Sequence, residues 1–203
     1  MSEWKAKRKT MRYYDSLANI YDALYSAEQN EKFKAILNHI NFKGGEKVLD
    51  VGCGTGLLFN NIKNKTELIL GIDLAKNILL QAIKHAKQND SIALVRADAD
   101  YLPFKDGTFT ATFAITLIQN MPNAKRTLNE IKRVTESEGV IAINGLKKKY
   151  ALEYFKSILE EAKLKLIALE NEENLKGYIA ICKPLDKSTK HLKLADSLPK
   201  VEN

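Results

Sequence analysis

Val48-Leu49-Asp50-Val51-Gly52-Cys53-Gly54-Thr55-Gly56 decides how this chain folds. Lys47 to Val51 is a short apolar run, which reads as a buried strand. Glycines at 52, 54 and 56 let the backbone turn tightly and let a ligand lie against the main chain. Leu57 to Lys63 opens a helix behind them. In an open α/β sheet, ligands bind beyond the carboxyl ends of the strands, and this loop sits at such an end.

Outward from there, strands and helices alternate. Leu68 to Ile72, Ile92 to Ala97, Ala111 to Thr116 and Val140 to Asn144 are apolar runs of strand length. Between them, Ala75, Ile78, Leu79, Ala82, Ile83 and Ala86, and then Ala124, Leu128, Ile131 and Val134, recur at helical spacing. Leu152, Phe155, Ile158, Leu159 and Ala162 mark another helix, and Phe33, Ile36, Leu37 and Ile40 an early one over 28–40. Alternation predicts parallel crossovers with helices on both sheet faces. Leu164 to Leu169 and Tyr178 to Cys182 are joined only by Glu170 to Gly177. A parallel crossover needs about a dozen residues, so this last pair is expected to be antiparallel. The expected architecture is α/β: a seven-stranded mixed sheet with an antiparallel final strand.

With 203 residues, the chain fits one domain with an arm. Its 45% hydrophobic content excludes a largely disordered protein. Residues 1–25 read as the arm, basic at Lys5, Lys7, Arg8, Lys9 and Arg12, then aromatic at Tyr13, Tyr14, Tyr21 and Tyr25. Residues 26–183 form the expected domain and 184–203 a flexible tail. No apolar run approaches the roughly 18 residues that cross a bilayer, so no membrane insertion is expected. No apolar signal segment follows Met1-Ser2-Glu3-Trp4-Lys5, which makes a cytoplasmic location the expectation. Cys53 and Cys182 cannot build a disulfide framework, and no metal-ligand spacing occurs, so no metal is expected.

The glycine spacing is GxGxG, with Leu57 where a dinucleotide fingerprint has its third glycine. Asp50 at the strand end would repel a pyrophosphate and attract a cationic ligand. S-adenosylmethionine (SAM) carries an ammonium and a sulfonium and no phosphate. Opposite charges about 4 Å apart attract by roughly 4 kcal/mol at an effective dielectric near 20, before desolvation. The sign of that energy favours SAM over NAD. Asp73 closes the second strand, where a carboxylate can accept both ribose hydroxyls or cap the next helix. Asp98 ends the third strand and can accept an adenine amino group, with the Ala99 N–H beside a ring nitrogen. Asp100 competes with Asp98 or serves a turn.

Together, VLDVGCGTG (48–56), GIDLAKNIL (71–79), ADADYLPFKDGTFT (97–110) and LNEIKRV (128–134) resemble a class I SAM-dependent methyltransferase of the type 11 subgroup. That subgroup includes ubiquinone/menaquinone-pathway enzymes and wobble-uridine tRNA methyltransferases. The resemblance spans roughly Lys47 to Asn144 and implies a Rossmann-like fold. It also implies that Asp50, Gly52, Cys53, Gly54 and Gly56 surround the methionine part of SAM. Asp73 would hold ribose with Leu74 beside the adenine, Asp98 and Ala99 would bind adenine, and the Thr116 carbonyl would lie near the SAM ammonium. A tyrosine of the arm closes over SAM in related enzymes, and Tyr21 matches that region. The chain departs from the family at Glu136-Ser137-Glu138-Gly139, where Lys-Pro-Gly-Gly is common. Thr116-Leu117-Ile118-Gln119-Asn120-Met121-Pro122 is not the Asn-Pro-Pro-Tyr signature, which puts adenine or glutamine amino groups in doubt as acceptors.

SAM arrives activated, so no metal is required, and no catalytic residue is assigned. Gln119 and Asn120 are placed to orient an acceptor; His39, His85 and His191 read as surface residues. Lys147, Lys148 and Lys149 follow the fifth strand. With the arm they read either as a rim for RNA phosphates or as a solvated cluster. Three functions stay open: a methyltransferase acting on tRNA or another macromolecule, with a small activator subunit as a candidate partner; one acting on a small metabolite or quinone precursor; and a SAM-binding scaffold without catalysis.

Overall fold

A computed structural model describes residues 2–87 and 89–185. The tail expected from residue 184 and His191 therefore lie, from 186 onward, outside the described residues. Seven strands form one sheet: β1 (Lys47–Val51), β2 (Leu68–Asp73), β3 (Ile92–Arg96), β4 (Phe109–Ala114), β5 (Thr135–Leu146), β6 (Leu164–Glu170) and β7 (Gly177–Pro184). Their order is β3-β2-β1-β4-β5-β7-β6. β1 to β5 run parallel, and β7 is antiparallel to both neighbours. Strand order reverses between β1 and β4, so the crevice that binds ligands in such sheets opens at their carboxyl ends.

Side-chain alternation builds a core on each face. Leu49, Val51, Ile141 and Ile143 pack with Leu128, Ile131, Val134 and Phe155. These come from α5 (Ala124–Val134) and α6 (Leu152–Glu161). Val48, Ile69, Phe113 and Ala142 pack the other way, against Phe33, Ile36, Phe59, Ile62 and Ala82. Those belong to α2 (Tyr21–Leu37), α3 (Phe59–Ile62) and α4 (Lys76–Ala86). The central strands β1, β4 and β5 are covered on both sides, which is why they read as near-continuous apolar runs.

The early helix, expected over 28–40, is α2 at Tyr21–Leu37 and crosses the expected arm boundary at residue 25; three further details differ from the sequence expectation. The helix opening at Leu57 is a single turn, α3, because Cys53 to Leu58 is spent in turns. β4 stops at Ala114, and Thr116 falls in a bend with φ +61°, which cannot continue a ladder. β5 starts at Thr135, so it includes Glu136 to Gly139 ahead of the expected Val140 to Asn144. Phe109 pairs with Thr135 and Ala111 with Val140, so the extra β5 residues bulge.

The basic arm is helical. α1 (Glu3–Leu17) starts at the Ser2 cap, whose hydroxyl accepts the Lys5 N–H at 3.3 Å. Asp15 of α1 accepts the Asn77 N–H at 2.6 Å, satisfying a free donor in the first turn of α4. Asn19 accepts from Gln81 at 3.0 Å, and Glu3 pairs with Arg126 of α5 at 2.7 Å. α1 is thereby tied to both α4 and α5. Among the described residues, no helix is long and apolar enough to cross a membrane.

Gly71 in β2 tests this packing. An added Cβ would lie 2.6 Å from the Phe59 ring and 3.0 Å from both Cys53 Sγ and Leu94 Cδ2. Gly71→Ala should destabilise by about 1–3 kcal/mol in chemical denaturation. Gly45→Ala, where no atom lies within 4 Å, should be neutral or slightly stabilising.

Candidate functional site

The first turn after β1 is made by hydrogen bonds to its neighbour. The N–H groups of Gly52 and Cys53 both reach the Ile72 carbonyl at 2.8 Å. Gly52 and Gly54 have φ of +76° and +56°, and a Cβ on Gly52 would meet Leu117 Cδ1 at 2.9 Å. Both glycines line a cavity of about 90 Å³ beyond the strand ends. Asp73, Leu74, Asp98, Ala99, Thr116, Tyr21 and Asn120 line it too. A smaller cavity of about 30 Å³, sharing Tyr21, Gly52, Gly54 and Ile115, is lined by Asp50 and Cys53.

The carboxylates have unequal surroundings. Asp73 is tied at both oxygens, Oδ1 accepting the Ala75 N–H at 2.8 Å and Oδ2 the Gly54 N–H at 3.1 Å. It does not cap α4, whose cap residue is Ala75; it joins the β2 end to the glycine loop. Burial pushes Asp73 up to about 6, against the opposing backbone hydrogen bonds. Asp50 is buried, and among the described residues its carboxylate meets no hydrogen-bond donor or cation. Burial, then the charge of Asp73, pushes it up to about 8. A buried acid without a partner fits a site completed by a cationic ligand.

Asp98 and Asp100 do have a cation. Lys7 of α1 turns inward, its ammonium 2.8 Å from both oxygens of Asp98 and 2.5 Å from Asp100. Burial disfavours the charged Lys7, but hydrogen bonds to Asp100 and Asp98 outweigh it and hold the ammonium above the usual lysine range. Asp100 also accepts the Thr127 hydroxyl at 2.5 Å. Asp98 therefore lines the cavity, while Asp100 fastens α5 and α1 below it.

Thr116 is clamped. Its hydroxyl meets Gln29 and Lys32 of α2, each at 3.1 Å. Its carbonyl accepts from Asn120 at 2.8 Å, and the same amide donates to the Tyr14 hydroxyl at 2.9 Å. A β-branched residue at positive φ is strained, and these bonds hold it there. Lys32 is fully buried and paired with Glu28 at 2.8 Å; burial lowers its pKa despite that partner.

The structure separates other expected residues from the cavity. Gly56 lines neither cavity; a Cβ there would collide with the Phe59 ring. Cys53 directs its sulfur toward Gly71, and burial pushes its thiol well up. Gln119 is outside the lining, with both amide atoms buried and unpaired. Lys147, Lys148 and Lys149 are outside it as well; the Lys147 ammonium donates to the Glu172 carbonyl at 2.6 Å and lies over the Tyr178 ring. His39 pairs with Glu170 and His85 with Asp22, both away from the cavity. Among the described residues, no group of three or more His, Cys, Asp or Glu is placed to hold a metal ion.

Lys7, Thr10, Met11 and Tyr14, from the arm, are cavity residues that sequence reasoning missed. The available signal was their i, i+3, i+4, i+7 spacing, which places them on one helix face.

Glycine loop, strand order and acidic strand ends together give the chain the Rossmann-like fold of class I methyltransferases. A family model described as a methyltransferase domain matches residues 49–143. An uncharacterised protein of Methanocaldococcus jannaschii is 32% identical over 136 residues, 67% of this chain and 51% of its own length. A demethylmenaquinone methyltransferase of Staphylococcus saprophyticus is 31% identical over 149 residues, 70% of this chain and 64% of its own. This chain thus spans about half of the first relative and just under two thirds of the second. A SAM-dependent methyltransferase from Aquifex aeolicus shares the fold, with a TM-score of 0.66 at 18% identity over 76% of this chain and 89% of that one.

The two raised acids set a pH dependence. Unfolded, both titrate near 3.8; folded and ligand-free they hold their protons to about 8 and about 6. The folded state binds the extra protons, so ligand-free stability should fall as pH rises from about 4 to about 8. A cation beside Asp50 needs its ionised form. SAM affinity measured by calorimetry should therefore rise, by up to about fiftyfold, between about pH 6 and about pH 8. Asp50→Asn should flatten that rise; an unchanged slope would remove Asp50 from the cation site.

Proposed function

We propose that this protein transfers the methyl group of SAM to a small, largely apolar aromatic acceptor carrying ring hydroxyls. One observation carries the reading: beyond the residues proposed for the cofactor, the cavity is walled by Met11, Tyr14, Tyr21, Leu117 and Met121. Such a lining suits a planar apolar ring better than a charged or sugar-bearing group. The demethylmenaquinone activity named for the Staphylococcus saprophyticus relative supports the same chemical class. The three lysines at 147–149, outside the lining, lend no support to an RNA acceptor.

In this reading Asp50 faces the cationic end of the cofactor, Asp73 the ribose and Asp98 the adenine. When bound, SAM supplies a methyl group already activated for displacement. The chain's task is then to align the acceptor in line, at roughly 3–3.5 Å, and to exclude water. α1 and α2 provide the roof through Tyr14 and Tyr21. Burial pushes the Tyr14 hydroxyl up to about 12, so it stays protonated; it accepts from Asn120 and can donate to an acceptor oxygen. Thr116, held by Gln29, Lys32 and Asn120, fixes the wall opposite.

With tritiated-methyl SAM and fractionated cell extract, label should appear in the organic-solvent fraction of ring-hydroxylated lipids. Label in tRNA would replace this acceptor. Label nowhere, with SAM binding intact, would leave a cofactor-binding scaffold. Tyr14→Phe should lower kcat by about tenfold or more if the hydroxyl orients the acceptor, with little change in SAM affinity.

A further inference from the structure

The arm's cations divide between two faces of α1. Lys7 points into the cavity and is neutralised there. Lys5, Arg8, Lys9 and Arg12 are exposed, and among the described residues none of their side chains has a carboxylate partner. The acids of α1 are committed elsewhere, Glu3 to Arg126 and Asp15 to the backbone of Asn77. At about 100° per residue, Arg8, Arg12, Lys5 and Lys9 occupy the middle of the outward arc, with Trp4 and Tyr13 on its flanks. Trp4 is 49% and Tyr13 53% exposed. At the corner into α2, Ile20 and Leu24 are 51% and 57% exposed.

We propose that this outer face of α1, with the Ile20–Leu24 corner, docks the protein on an anionic lipid surface. Unpaired cations in one arc complement acidic headgroups, each contributing about 1 kcal/mol of attraction near the surface. Indole and phenol rings sit favourably at headgroup depth, with an apolar body and a polar edge. A nucleic acid offers phosphates to the same cations. It has no use for Ile20 and Leu24, aliphatic side chains that the fold leaves in water and that lipid would bury. Docking lays the lipid against the helix whose inner residues Lys7, Thr10, Met11 and Tyr14 line the cavity. The benefit for catalysis rests on the proposed apolar acceptor, which would reside in that lipid; the docking itself does not.

Trp4 is the single tryptophan and reports directly on this face. With vesicles of phosphatidylglycerol and phosphatidylcholine, the full chain should co-sediment and its emission should shift to the blue. Pure phosphatidylcholine vesicles should give little of either, and added salt should reverse both. The double variant Arg8→Glu, Arg12→Glu should lose about tenfold or more in partitioning, and Ile20→Ser with Leu24→Ser should weaken it without altering the salt dependence. Circular dichroism and SAM calorimetry on each variant should match the parent, because none of these residues lines the cavity. A parent that fails to bind SAM would overturn the cofactor reading and leave the docking result standing. No blue shift with the acidic vesicles, or partitioning untouched by charge reversal, would overturn the docking proposal. A tRNA-induced change in Trp4 emission without a vesicle response would assign the face to nucleic acid.

Discussion

Asp50, buried, and Asp73, partly buried, sit at adjoining strand ends with no cation of the protein's own against them. Burial is the largest cause raising each, and the Asp73 charge raises Asp50 further. Holding such a pair costs stability whenever both ionise, and the glycine loop around them leaves open the space that a cation would take. The neighbouring pair, Asp98 and Asp100, shows the alternative arrangement, because Lys7 sets one cation against both carboxylates from within the chain. Asp98 therefore lines the larger cavity with a cation beside it, while Asp50 lines the smaller one without a cation.

α1 works in two directions. Its inner face closes the cavity with Lys7 and Tyr14, and its outer face carries unpaired cations and half-exposed rings. Tyr14 joins Asn120, Asn120 joins Thr116, and Thr116 joins Gln29 and Lys32 of α2. Movement of the arm would therefore be felt at the strained Thr116 bend, which lines the cavity.

Much of this was legible before any coordinates. The apolar runs gave seven strands because parallel strands are buried on both faces, and the short link after Glu170 revealed the antiparallel pair. The acids at 50, 73 and 98 were legible because strand ends beside a glycine turn are where ligands bind. Lys7 was not, since a lysine among Lys5, Arg8 and Lys9 has the same local pattern as its exposed neighbours. Lys32 and Gln29 were hidden for a similar reason: they serve the site from a helix whose sequence shows only its own periodicity. The early start of β5, with its bulge across Glu136 to Gly139, was not legible because polar residues around one glycine carry no strand alternation.

The sequence by itself determined the order of elements, the glycine loop and the sign of the charge at the first strand end, because each depends on near neighbours along the chain. Tertiary structure decided which lysine enters the cavity, which carboxylate is left without a partner and which threonine is strained. Those outcomes depend on contacts between residues as far apart as Lys7 and Asp98, or Lys32 and Thr116, which meet only once the arm has packed across the finished sheet.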